Sequence, residues 1–219
     1  MTTAAVLPTT QTAAPAQPVV AVRRRTVDRV LIALGGVAAV VLVVAGAMLM
    51  WGSNFAHDYV HRELSSQNIL FPSADALDGQ GRSDLVRYAD HQVTTGNEAE
   101  AYASFINGHL QGIADGATYA DLGATQNAAA ADLQAAQDNG ASAGEIATLQ
   151  AKVDTISGQR DSLFKGETLR GLLLSSYAWA TVGRIAGIAA IVAFVAAAVM
   201  AVLVVAGLVH EHRLGHTTT

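Results

Sequence analysis

Apolar residues run without a charged side chain from Val30 to Trp51 and again from Ile185 to Val209, and the 133 residues between the runs, 52–184, are mostly polar. At about 1.5 Å per helical residue the runs extend about 33 Å and 37 Å, enough to cross a hydrocarbon core about 30 Å thick. The pattern predicts two transmembrane helices, 30–51 and 185–209, the second with some tilt.

Helical signals fill the interval. The first helix continues from Asn54 through Leu64, with Tyr59, Val60 and Leu64 apolar, and Pro72 ends what remains of it. Ser73 to Arg82 holds Asp75, Asp78, Gly79 and Gly81 and reads as a loop, followed by a short helix around Asp84 to His91. Thr95-Gly96-Asn97-Glu98 matches a capping box, in which the Thr hydroxyl and the Glu carboxylate satisfy free amides at a helix start. Ala99, Tyr102, Phe105, Ile106, Leu110 and Ile113 then follow at helical spacing and mark the buried face. Thr118, with Asp121 three residues on, starts a helix through Leu122 and Leu133 to Asp138, ended by Asn139-Gly140. Ser142-Ala143-Gly144-Glu145 is a second capping box, opening a helix with Ile146, Leu149, Val153, Ile156, Arg160 and Leu163 at steps of three and four.

These two helices predict an Ala- and Gln-rich antiparallel hairpin over 118–165, whose seam either packs on the rest of the domain or docks a partner. No alternating strand pattern of useful length occurs. The expected fold is all-α: a two-helix transmembrane anchor with an inserted extracytoplasmic helical domain, 52–184.

Charge sets the expected orientation. Arg23, Arg24, Arg25 and Arg29 precede the first run and Arg213 follows the second, so the positive-inside bias places both termini in the cytoplasm. The tail 1–29 is rich in Ala, Thr, Gln and Pro over Met1 to Val22 and reads as disordered, and 210–219 is a short cytoplasmic tail. From Asn54 to Arg184 there are eight Lys or Arg against sixteen Asp or Glu. An acidic domain offers no basic footprint for nucleic acid. A cleaved signal peptide is the rival reading of the first run, through Ala45-Gly46-Ala47, but Leu49, Met50 and Trp51 carry the apolarity past that point. The chain has no cysteine, which excludes disulfides, thiolate metal sites and cysteine nucleophiles.

Neither run contains an ionisable residue, so a proton relay or charged transport path has no parts. Gly35 with Ala39 in the first run, and Gly183 with Gly187 opening the second, place small residues at the spacing that lets helices approach closely. The expected partner of each seam is the other span, with self-association of two chains as the alternative. Trp51 and Phe55, and Tyr177 and Trp179, form an expected aromatic belt in the lipid bilayer's interface, with Arg184 snorkelling at its edge.

His57-Asp58-Tyr59-Val60-His61 is the strongest chemical signal. Histidines four apart share a helix face and can chelate zinc, although Asp stands where zincins place Glu as general base. A third ligand is needed, and Glu63, His91 and His109 are the candidates; the plainer reading is two histidines on a wet helix above the membrane. His210-Glu211-His212, with His216, is a loose cluster on a solvated tail. There is no P-loop, dinucleotide fingerprint or nucleophile elbow.

Phe164-Lys165-Gly166-Glu167-Thr168-Leu169-Arg170-Gly171-Leu172-Leu173-Leu174, then Tyr177-Ala178-Trp179, forms a distinctive pre-membrane segment, 164–179. With Gln67-Asn68-Ile69-Leu70-Phe71-Pro72 and Gln92-Val93-Thr94-Thr95-Gly96, it resembles a group of uncharacterised actinobacterial two-span membrane proteins. The resemblance covers the outer end of the first span, the start of the domain and the pre-membrane segment, and the Ala-rich hairpin is longer here than in that pattern. It implies plasma-membrane residence and a helical domain, and carries over no catalytic residue or cofactor. The functional expectation is a non-enzymatic scaffold, sensor or interaction protein of the cell envelope, with another envelope protein as partner. The alternative is a metal-binding or metallohydrolase domain using His57 and His61.

Overall fold

The computed structural model describes residues 24–216. The expected tail over Met1 to Val22, Arg23 and residues 217–219 lie outside the described residues, as do the side chains of Arg24, Arg25 and His216. Among the described residues all regular structure is helical: α1 (Arg24–Ser66), α2 (Ala74–Gly79), a 3₁₀ turn (Ser83–Tyr88), α3 (Gly96–Gln111), a second 3₁₀ turn (Ala114–Gly116), α4 (Tyr119–Asp138) and α5 (Ala143–His216). Two of these, α1 and α5, are long and apolar enough to cross a membrane. Their large apolar side chains are uncovered, Val37 by 62%, Met48 by 69% and Val202 by 67%, so neither run is the core helix of a packed domain.

The chain divides into two compact units, one spanning Leu42–Val195 and one formed by the flanking parts of α1 and α5. In the flanking unit the helices run antiparallel. A β-carbon added to Gly35 would stand 3.0 Å from Val204 Cγ2, and one added to Gly207 would stand 3.0 Å from Ile32 Cγ1. Arg29 Nε donates to Glu211 Oε1 at 2.6 Å. With the Arg29 side chain 72% exposed, the pair is worth at most a few tenths of a kcal/mol, about the surface value.

In the unit Leu42–Val195 the same two helices meet through small residues. A β-carbon on Gly187 would lie 2.8 Å from Ser53 Oγ and 3.6 Å from Ser53 Cβ, and one on Gly183 would lie 2.9 Å from Ala56 Cβ. Gly46 faces the Phe194 ring at about the same separation, 3.0 to 3.1 Å. Buried or half-buried positions recur along α1 at Leu42, Gly46, Leu49, Ser53, Ala56, Val60 and Leu64, in steps of three and four. That is a heptad-like stripe, the periodicity of antiparallel coiled packing, built here from small side chains.

This register revises the expected aromatic belt. With Gly183 opposite Ala56 and Gly187 opposite Ser53, Trp179 stands level with about residue 60 of α1. It is therefore displaced from Trp51 by about ten residues, or ~15 Å along the helices. The two tryptophans do not share one level.

Beyond Trp51, α1 continues for 15 residues to Ser66. Gln67 N–H and Asn68 N–H then bond back to Leu64 and Ser65 carbonyls, and Asn68 adopts φ 52°, a left-handed turn that ends the helix. The chain next runs antiparallel to a later segment, with Phe71 N–H donating to the His91 carbonyl at 3.0 Å and Val93 N–H to the Ile69 carbonyl at 2.8 Å. Between them the expected loop Ser73 to Arg82 contains a helix, α2. Ser73 caps it by accepting Ala76 N–H, and Leu77, fully buried, anchors it. Burying a leucine fully contributes about 1.5–3 kcal/mol, which outweighs the turn preference of the Asp and Gly residues around it.

Phe71 is the centre of this small core. It stacks on Tyr88 at 5.2 Å and meets Tyr102 edge-on at 5.1 Å, among Leu77, Leu85, Val93, Ala99 and Phe105. Val60 and Leu64 of α1 and Leu173 and Ala180 of α5 complete it, so the core closes only where both long helices are present. A second cluster joins Leu110, Leu122, Ala129, Ile156 and Leu163, and fastens the α4–α5 hairpin to the end of α3. From Val153 to Leu163 the anticipated seam thus faces α4 and Leu110.

The capping box expected at Thr95 forms in full, and the helix start expected at Thr118 with Asp121 proves to be a complete box as well. At Ser142 one half forms, Glu145 N–H donating to Ser142 Oγ at 3.3 Å. From there α5 is continuous, so the second hairpin helix, the pre-membrane segment and the second apolar run are one helix of 74 residues.

The 3.6 Å separation between Ser53 Cβ and a β-carbon at Gly187 lies within the range of a disulfide. A Ser53→Cys, Gly187→Cys double variant of this cysteine-free chain is expected to oxidise within one chain. Non-reducing electrophoresis should show a compact monomer; a crosslinked dimer instead would mean that these seams pair two chains.

Candidate functional site

Three segments singled out in the sequence, 67–72, 92–96 and 164–179, converge on one place. The first two pair through the Leu70–Gln92 bridge, and Gln92 Nε2 donates to the Ser65 carbonyl at 2.9 Å, tying the pair to the end of α1. The third supplies Leu173, which is buried in the same core. At this junction the N-terminus of α3 presses against α5. A β-carbon on Gly96 would stand only 2.3 Å from Ala180 Cβ and 3.3 Å from Tyr177 Cα, so no side chain fits at this first helical position.

Hydrogen bonds lock the contact from both sides. Arg184 Nη2 donates to Asn97 Oδ1 at 2.8 Å, so this arginine joins α5 to α3 and does not hang free at the edge of the apolar run. His61 Nδ1 pairs with the Thr94 carbonyl at 3.3 Å, which fixes that nitrogen as the donor. Glu98 Oε2 accepts from the amides of Thr94 and Thr95, both at 2.9 Å, and from their hydroxyls at 3.1 and 3.0 Å. Burial raises the Glu98 carboxyl, and these four bonds more than offset it, leaving the group below its ordinary range. Arg82 completes the frame. Its guanidinium takes both oxygens of Asp84 and also reaches the Ser104 carbonyl at 2.8 Å and hydroxyl at 2.9 Å, stapling the first 3₁₀ turn to α3.

The two histidines of the H-D-x-x-H pattern sit in different surroundings. His57 Nδ1 pairs with the Ser53 carbonyl at 2.8 Å and lies beside Gly183, while His61 faces Thr94. Among the described residues no group of three or more His, Cys, Asp or Glu side chains is placed to hold a metal ion, so Glu63, His91 and His109 do not assemble a ligand set around this pair.

Next to the junction lies a groove of about 310 Å³ between α1 and α5. Val60, Leu64 and Leu173 form its buried base, while Tyr59, Leu172 and Trp179 flank it, exposed by 44%, 63% and 54%. Glu63, Gln67, Ser175 and Ser176 supply its polar edge. Sequence reading missed this groove and the role of Gly96. A glycine at the first position of a capped helix was the available signal, because it gives up helix propensity that only a close approach explains.

Gly96→Ala is expected to lower the stability of the domain by about 1–3 kcal/mol, the range for overpacking. Ala180→Gly in the same chain should recover part of the loss, read as the midpoint of thermal unfolding in detergent. Because the Glu98 carboxyl is lowered in the folded state, the stability it contributes is present above its unfolded pKa of about 4.3 and is lost as pH falls through the folded value. Thermal scans should therefore show the domain weakening below about pH 4. Glu98→Gln should be less stable than the parent at pH 7 and depend less on pH in the acid range. In comparisons with protein-family models, curated proteins and solved structures, nothing matches this chain.

Proposed function

We propose that this chain is an integral protein of the cytoplasmic membrane, with both termini inside and residues 52–184 outside, and that its helical domain is a non-enzymatic scaffold or interaction module of the cell envelope. The observation that carries the reading is the unbroken course of α5, which begins at the hairpin and continues as the second apolar run. A hairpin built on such a helix is joined to the anchor by one backbone without an intervening loop. The charge balance supports the orientation, since the middle is acidic while Arg23, Arg24, Arg25 and Arg29 precede the first run and Arg213 follows the second.

The polar groups of the domain support a binding role over a chemical one. Glu98 and Asp121 serve as helix caps, and Arg82 and Arg184 are engaged as staples. The hairpin itself is mostly exposed alanine, glutamine and aspartate, with Asp132 and Lys152 across it at 3.9 Å. Such a surface suits a partner protein of the envelope, and the acidic domain is unsuited to nucleic acid.

A reporter fused after Thr219 is expected to be active only in the cytoplasm, and one inserted at Gly140 only outside; a Thr219 fusion active outside would overturn the topology. In-membrane photocrosslinking from the hairpin should recover a second envelope protein. Recovery of self-crosslinks alone would replace the partner with another copy of this chain.

A further inference from the structure

We infer that the groove beside Tyr59 and Trp179 holds one acyl chain of a phospholipid drawn from the outer leaflet of the surrounding bilayer, an inference that rests on the membrane reading proposed above. Its dimensions fit such an occupant. The α5 side runs from Leu169 to Trp179, about 15 Å, so a volume near 310 Å³ corresponds to a cross-section of about 20 Å². That is the width of a single hydrocarbon chain, whereas a docking helix is about 10–12 Å across.

An apolar track leads into the groove from the first apolar run. Trp51 stacks on Phe55 with ring centroids 5.8 Å apart, and Phe55 stacks on Tyr59 at 6.2 Å, each ring exposed along one face of α1. On α5 the exposed apolar surface likewise continues outward from Ile185 through Val182 and Trp179 to Leu172. Uncovered apolar surface of this kind costs about 25 cal/mol per Å² in water, and the register places Leu172 and Trp179 beyond the end of the uncharged runs. A lipid chain is the one apolar partner already present at the foot of the track. The polar edge fits as well, because the Gln67 amide and the Ser175 hydroxyl can hydrogen-bond a lipid's ester or phosphate oxygens.

The chain has two tryptophans, one at each end of this track, and they make the test. Trp51→Phe leaves Trp179 as the sole indole reporter, and Trp179→Phe leaves Trp51. Full-length protein would be reconstituted in phosphatidylcholine vesicles with and without the analogue brominated at mid-chain, which quenches indole fluorescence on contact. Trp51 should be quenched, and Trp179 should be quenched at least half as strongly despite standing ~15 Å further out. Leu172→Glu, at an exposed wall position, should reduce Trp179 quenching at least twofold and leave Trp51 unchanged, and Leu172→Gln should act in the same direction.

Quenching of Trp51 without Trp179 would overturn the inference and leave the membrane reading standing. Trp179 quenching indifferent to both Leu172 variants would also overturn it, because the bilayer itself would then reach that level. Protection of Trp179 that grows with the protein-to-lipid ratio would assign the groove to a second copy. Failure to quench Trp51 would remove the membrane reading and the inference together.

Discussion

The close approach of α1 to α5 is the constraint on which the unit Leu42–Val195 depends. Ser53 and Ala56 sit where Gly187 and Gly183 have no side chain, and larger residues there would push the helices apart. Everything above that contact inherits its register. Val60 and Leu64 on one helix, and Leu173 and Ala180 on the other, close the small core only because the helices meet at this separation and this stagger. The core is thin, with Leu77 and Val93 its largest fully buried side chains, so the long helices supply walls that a domain of this size cannot build alone.

Local and tertiary interactions agree at the start of α3. The Thr95–Glu98 box is a sequence-local device of about 1 kcal/mol, yet its neighbours Gly96 and Asn97 are chosen by contacts with α5 about 84–87 residues away. A capped helix end is thereby also a docking surface. Arg82 plays the matching part at the other side of α3, where its fork joins Asp84 to Ser104. These charges hold structure together, which is why they are not free for chemistry.

Much of this was legible in the sequence because the signals were local. The two uncharged runs, the Thr95 and Thr118 caps and the Asn139-Gly140 stop each follow from a few adjacent residues. The all-helical architecture follows from them. What escaped depended on contacts distant in the chain. Asp75, Asp78, Gly79 and Gly81 argued for a loop, and only the burial of Leu77 turns the segment into α2. The spacing of His57 and His61 gave a shared face but not their partners, which come from Ser53 and Thr94. The offset between Trp51 and Trp179, and with it the groove, requires knowing which residue of α1 faces which residue of α5, a fact no periodicity contains.

The continuity of α5 has a mechanical meaning. Between Ala143 and Val195 it has neither a proline nor a break, and the α3 and α1 contacts brace it at Ala180, Gly183 and Gly187. A load applied near Gly140 at the hairpin tip therefore meets no joint at which to dissipate. The first support it meets is the end of α3, where Leu110 packs against Leu163 and Gly166, and the Gly96–Ala180 contact stands further along the same unbroken helix, so α3 carries the beam at two points.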